Sequence, residues 1–197
     1  MTIKQHLLTP NEWSRSQRRI KEVLGLVMHW TANPRANAEQ NRNYFESRKN
    51  GRDGYGSAHY IIGQDGSIIQ CIPLEEVAYH CGSGKKDPTS GKIYTDFART
   101  KFKHYAENWK TNSPNYCTIG IELCPTDNEG HFTDETINAA IALCADLCKR
   151  FNLKADDITT HHAIVGWKDC PRLWVRQPEL LDAFRASVTD HMARREA

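Results

Sequence analysis

The apolar positions of this chain fall into runs and stripes that alternate along its length. Val23–Trp30 (VLGLVMHW) is a nearly continuous apolar run, the pattern of a strand buried on both faces. Ala58–Gly63 and Ser67–Ile72 are shorter Ile-rich runs, and Asp65-Gly66 between them predicts a hairpin turn. Thr118–Leu123 (TIGIEL) reads as a further strand and Ile158–His161 as a short last one. Asn37–Lys49 is a candidate surface helix stopped at Asn50-Gly51. Thr133–Phe151 carries the clearest helical signal. Ile137, Ala140, Ile141, Cys144, Leu147, Cys148 and Phe151 repeat at three and four, Thr133 suits the cap, and Asp134 and Glu135 suit the first turn. Lys149 and Arg150 suit its last turn, and Pro178 opens a final helix with Leu181, Phe184 and Val188 on one side. Gly82–Thr100, rich in Gly, Lys, Asp and Ser, reads as a long loop. Strands interleaved with helices predict an α/β fold, a central mixed β-sheet flanked by helices. The hairpin excludes a purely parallel sheet.

Length and charge narrow this picture. The 197 residues fit one domain, able to bury roughly 70% of the surface its unfolded chain exposes. The expected division is an N-terminal extension over about 1–22 and a core over about 23–195, with no separate wall-binding domain. A net charge of +2 with mixed signs argues against a nucleic-acid binder. No apolar run approaches the roughly 20 residues of a membrane span. The N-terminus has no apolar segment of signal-peptide length, so synthesis in a cytoplasm is expected. Seven cysteines cannot all pair within one chain, and most read as small buried hydrophobes, Cys144 and Cys148 on the core face of their helix. Nothing in the composition requires a dimer, and a monomer is expected.

Candidate chemistry gathers at strand ends. His29 closes the first long strand, His161 and His162 close the last, and Cys170 follows just before Pro171. Two imidazoles and a thiolate are good ligands for Zn²⁺, and three protein ligands leave a fourth position open, as in catalytic zinc sites. No C-x-x-C of a zinc finger is present. Glu122 lies inside an apolar run. Either strand alternation turns it to solvent, or it is a general base for a metal-activated water. Lys168, two residues before Cys170, is either a solvated lysine or a charge that holds a developing oxyanion.

Five motifs occur in order: HWTANP, SAHYIIGQDGSIIQCIP, EVAYHCG, TIGIEL and THHAIVGWKDCP. Together, from about Val23 to Arg172, they resemble the zinc-dependent N-acetylmuramoyl-L-alanine amidases of the type-2 amidase and peptidoglycan-recognition-protein superfamily, phage endolysins above all. The resemblance implies a mixed sheet flanked by helices, a groove holding one Zn²⁺ per chain, and peptidoglycan as the partner. It implies His29 as first ligand and Cys170 as third. For the second, counting back from Cys170 selects His162, and counting forward from LKADDITTH selects His161. His161 is the choice here, with Trp167 as a one-residue insertion. Glu122 matches the catalytic glutamate of related amidases and Lys168 the lysine upstream of the third ligand. Some relatives carry a catalytic Tyr where this chain has Ala58, and Tyr60, two residues on, is not promoted in its place. His80 matches a histidine that lines the substrate groove, and Trp30 and Thr31 are expected to shape it.

The implied reaction is hydrolysis of the amide between N-acetylmuramic acid and L-alanine, by a phage or prophage endolysin acting on the wall after release. The alternatives are a non-catalytic peptidoglycan-binding module, a cytoplasmic amidase recycling soluble muropeptides, and a structural zinc site supporting some other activity.

Overall fold

The computed structural model describes residues 2–108 and 110–194. Six strands form one sheet: β1 (Ile3–Gln5), β2 (Gly25–Trp30), β3 (Tyr60–Ile62), β4 (Ile68–Gln70), β5 (Thr118–Leu123) and β6 (Ile158–Thr160). Their order across the sheet is β1-β4-β3-β5-β2-β6, with every pair parallel except β3–β4. That exception is the predicted hairpin. Gly63 N–H donates to the Ser67 carbonyl at 2.9 Å, and Gly66 turns the chain at φ 75°, where only glycine is unstrained.

The helices are α1 (Ala38–Ser47), α2 (Asp96–Lys101), α3 (Asp134–Phe151), α4 (His161–Val165), α5 (Arg172–Arg176) and α6 (Glu179–Arg194). Alternation along β2 and β5 divides the core. Leu26, Met28, Ile119, Ile121 and Leu123 point to one face and pack with Ala140, Leu143, Cys144, Leu147 and Cys148 of α3 and Phe184 and Val188 of α6. On the other face Val27 packs near α2 and α4, with Ala98, Phe102, Ile164 and Val165. Ile61 and Ile69 pack separately under Ala38 of α1. These two clusters cover the ends of that face and leave its middle to the polar residues of β2 and β5.

Three expectations need correction. The stretch over 1–22 is not outside the core: β1 completes one sheet edge beside β4, and Leu8 is buried. A three-residue strand is too short for alternation to announce it. The loop over Gly82–Thr100 contains the start of α2, capped by Thr95, whose hydroxyl accepts from Ala98 N–H at 3.1 Å and donates to the Ala163 carbonyl. Only Ala98 of this short helix is buried, so no apolar stripe marks it. The last strand ends at Thr160, and His161 opens α4. His161 and His162 are therefore neighbours on a helical turn, not residues alternating on a strand.

Candidate metal centre

In-register pairing of parallel strands puts partners on one face of the sheet, and His29 of β2 is paired with Glu122 of β5. Both face away from α3. Thr160 caps α4 by accepting from Ala163 N–H at 3.1 Å, which fixes the first turn that carries His161. The loop from α4 to α5 returns Cys170 to the same place. Hydrogen bonds from α4 and β2 anchor it. His162 N–H donates to the Cys170 carbonyl at 3.0 Å, His162 Nδ1–H donates to the Lys168 carbonyl at 3.0 Å, and Trp30 Nε1–H donates to the Asp169 carbonyl at 3.1 Å.

His29, His161 and Cys170 thus converge, all three buried, with one potential ligand atom from each within 4.8 Å of the others. His29 Nδ1 lies 3.7 Å from Cys170 Sγ. Zinc bonds of 2.0–2.1 Å to nitrogen and 2.3 Å to sulfur in a tetrahedron require a separation of about 3.5 Å, so the pair fits. Both ring nitrogens of His161 are buried and lack a hydrogen-bond partner among the described residues, as suits a ligand awaiting an ion. His162 is instead engaged in holding the loop. A second group, His29, His80 and Cys81, shares His29 but uses the far side of its ring.

Burial governs the electrostatics. It takes His29 and His161 well below the usual imidazole value, with neighbouring imidazoles and Lys168 adding to the effect. It pushes the Cys170 thiol up to about 12. A coordinated metal reverses that balance, because a ligating thiol is deprotonated outright. Burial also raises the Glu122 carboxyl to about 7, against the pull of the Lys168 ammonium. Glu122 Oε2 is buried without a hydrogen-bond partner among the described residues. Such a carboxyl is poised for proton transfer near neutrality.

The cluster lies in a groove of about 950 Å³ bordered by His29, Thr31, Glu122, His161 and Lys168. Farther along, Tyr44, Tyr55 and Tyr79 line it, none of them singled out from the sequence. They come from separate segments with no common spacing, so no local signal announces them. Lys168 is exposed at the rim, whereas Trp30 is largely buried under the Arg172 guanidinium, 4.9 Å from its ring centre. Trp30 chiefly holds the loop before Cys170. Tyr60 faces the α3 side of the sheet, away from the groove.

The sequence profile of the family described as N-acetylmuramoyl-L-alanine amidase matches residues 19–173. The chain belongs to this amidase family. Among curated proteins it is similar to a probable N-acetylmuramoyl-L-alanine amidase of Bacillus licheniformis, 35% identical over 94% of this chain and 46% of that protein. The chain spans about half the length of the curated relatives it matches. Among solved structures, the PlyG catalytic domain superposes with a TM-score of 0.70 at 21% identity, covering 98% of this chain and 96% of that one. A mutant endolysin from Bacillus subtilis gives 0.66 at 22% identity, with coverages of 95% and 98%. The amidase fold expected from the motifs is therefore the fold observed.

His80 borders the groove, as expected, and its ring reaches behind the metal cluster as well. The ring is largely buried against His29, with His29 Nε2 and His80 Nδ1 3.0 Å apart. Gly120 of β5 makes room for it: a Cβ there would meet the His80 ring at 2.6 Å. His59, unforeseen, accepts from Gly120 N–H at 3.0 Å and donates to the Glu76 carbonyl at 2.9 Å, which pins that part of β5.

Proposed function

We propose that this chain is the catalytic unit of a zinc-dependent amidase that cleaves the bond between N-acetylmuramic acid and L-alanine in peptidoglycan. The observation that carries the reading is the convergence of two histidines and a cysteine beside a half-buried glutamate at the groove, one oxygen of which is buried and unpartnered. His29, His161 and Cys170 would hold one Zn²⁺. The chemistry a bound zinc supplies is that of a Lewis acid, polarising the scissile carbonyl and lowering the pKa of water. Glu122 takes the proton of the attacking water at its carboxylate and returns it to the departing L-alanine amine. Lys168 offers its ammonium to the carbonyl oxygen as negative charge develops there. Thr31 and the tyrosines along the groove bind the substrate, and Trp30 keeps the ligand loop in position. The proton transfers balance: the amide nitrogen gains the proton the water loses, and the carbonyl carbon gains the hydroxyl.

A carboxyl oxygen buried without a hydrogen-bond partner favours an enzyme over a binding module, because a recognition groove has no use for it. We read the chain as endolysin-like, monomeric, and acting on the wall rather than on soluble fragments. The test is digestion of purified peptidoglycan with mass spectrometry of the products. Stem peptides beginning with L-alanine, lost on chelation and restored by Zn²⁺, are expected. Glu122→Gln should retain zinc and lose roughly 10²–10⁴ in rate; full activity in that variant removes the general-base role. A parallel digestion of soluble muropeptides separates the endolysin from a recycling enzyme, since faster cleavage of the fragments would favour recycling.

A further inference from the structure

We infer that Thr118 and His80 are positioning residues, which fix the tautomer and ring orientation of His29 so that its Nδ1 is the atom offered to the metal. The inference rests on the proposed metal site and concerns the residues behind it. Four groups form a line that runs back from His29 into the protein. His29 Nε2 lies 3.0 Å from His80 Nδ1, His80 Nε2 lies 3.3 Å from Thr118 Oγ1, and Thr118 Oγ1 lies 2.6 Å from the Pro114 carbonyl oxygen. His29, His80 and Thr118 are all buried, so bulk water does not compete for these bonds.

The line has one direction, set at its far end. A carbonyl oxygen only accepts, so the Thr118 hydroxyl proton is committed to Pro114. Thr118 Oγ1 is then an acceptor for His80, and His80 carries its proton on Nε2. A neutral imidazole has one proton, which leaves His80 Nδ1 bare to accept from His29 Nε2–H. His29 Nδ1 is bare in turn, and it is the nitrogen facing Cys170 Sγ. Metal-ligating histidines characteristically donate their other ring N–H to such a partner. Here that partner is a second imidazole whose own tautomer is dictated by a backbone carbonyl two bonds away.

The surroundings hold the relay in place. The backbone N–H groups of His80 and Cys81 both donate to Asn115 Oδ1, at 3.0 and 2.7 Å. Cys81 Sγ approaches His80 Nδ1 at 3.1 Å, so its thiol adds a second donor to the nitrogen that must stay bare. Gly120 leaves the space the ring occupies. The same direction excludes a metal from the group His29, His80 and Cys81, because His29 Nε2 carries a proton there.

The test pairs a reading on the metal-free protein with one on zinc. Long-range ¹H–¹⁵N correlation of the histidine rings in the wild-type chain should find His29 and His80 both protonated on Nε2. Thr118→Val keeps the shape, removes the acceptor for His80, and leaves the Pro114 carbonyl paired with Cys117 N–H. It should mix the tautomers of both rings and weaken zinc binding about tenfold in a chelator competition. Thr118→Ser, which keeps the hydroxyl, should restore both. Protonation of His29 on Nδ1 overturns the relay, and the wild-type spectrum decides this even if the valine variant fails to fold. Wild-type zinc affinity in a folded Thr118→Val also overturns it. A wild-type chain with the expected tautomers but no zinc affinity overturns the metal reading instead, and with it the positioning role.

Discussion

At the scale of single residues, the site depends on polar groups wholly or partly withdrawn from water. Burial raises Glu122 to about 7, and the positive charge of a bound metal can only lower it from there. A general base must be ionised, so cleavage should rise with pH through an apparent pKa at or below about 7. A rate that falls across that range would assign the proton transfer elsewhere. Gly120 is the second sensitive position. A methyl group there meets the His80 ring at 2.6 Å, well inside van der Waals contact. Gly120→Ala should cost about 1–3 kcal/mol in urea unfolding, as overpacking does, and should also weaken zinc binding by displacing His80. Loss of stability with unchanged zinc affinity would separate the two effects.

At the scale of elements, short caps and turns decide where the strands deliver their side chains. Thr133 is the cap of α3. Its hydroxyl accepts from Thr136 N–H at 3.1 Å and donates to the Gln64 carbonyl at 2.6 Å, tying the helix start to the β3–β4 hairpin. Thr133→Ala should destabilise the protein by about 1–2 kcal/mol, read as a lower denaturant midpoint with an unchanged slope. Activity per folded molecule should stay the same, because α3 lies on the face opposite the groove. Both helix and cap were legible in the chain, since eighteen residues of apolar stripe outweigh local noise. The five-residue α4 was not. Its residues continue the apolar character of β6, and only the Thr160 cap and the left-handed Gly166 mark it as helix. That misreading mattered little for the metal, because His161 is inward in either geometry. It did matter for His162, which a strand would have turned away and a helix places against the Lys168 carbonyl.

For the whole molecule, the buried imidazoles couple stability to pH. Burial lowers His59 to about 4 and His80 to about 3, and His29 and His161 also fall well below 6.5. Between those values and 6.5 the unfolded chain binds more protons than the folded one, so stability rises with pH across that window. Glu122 acts in the opposite sense between 4.5 and about 7, one carboxyl against four imidazoles. The metal-free protein should therefore show a lower urea midpoint at pH 5 than at pH 7.5. An equal or higher midpoint at pH 5 would mean that these rings are already charged in the fold. Zinc should raise the midpoint at pH 7.5, by about 2.7 kcal/mol at a free concentration one hundred times its dissociation constant.

The chain alone determined the strands that carry His29 and Glu122, the hairpin, the long helix and the ordered motifs of the amidase family. Each is written in contiguous residues, as an apolar period, a turn dipeptide or a fixed spacing. Even Glu122, ambiguous between solvent and groove in its own strand, was one pairing away from an answer. The tertiary structure supplied that pairing, His29 beside Glu122 across β2 and β5. It also added the β1 edge, the tyrosine-lined groove, and the line from His29 through His80 and Thr118 to Pro114. These relations join residues as far apart as His29 and Glu122, 93 positions along the chain, and nothing in their local spacing records them. Hydrogen-bond direction is decided by which donor meets which acceptor, and that meeting exists only once the chain has folded.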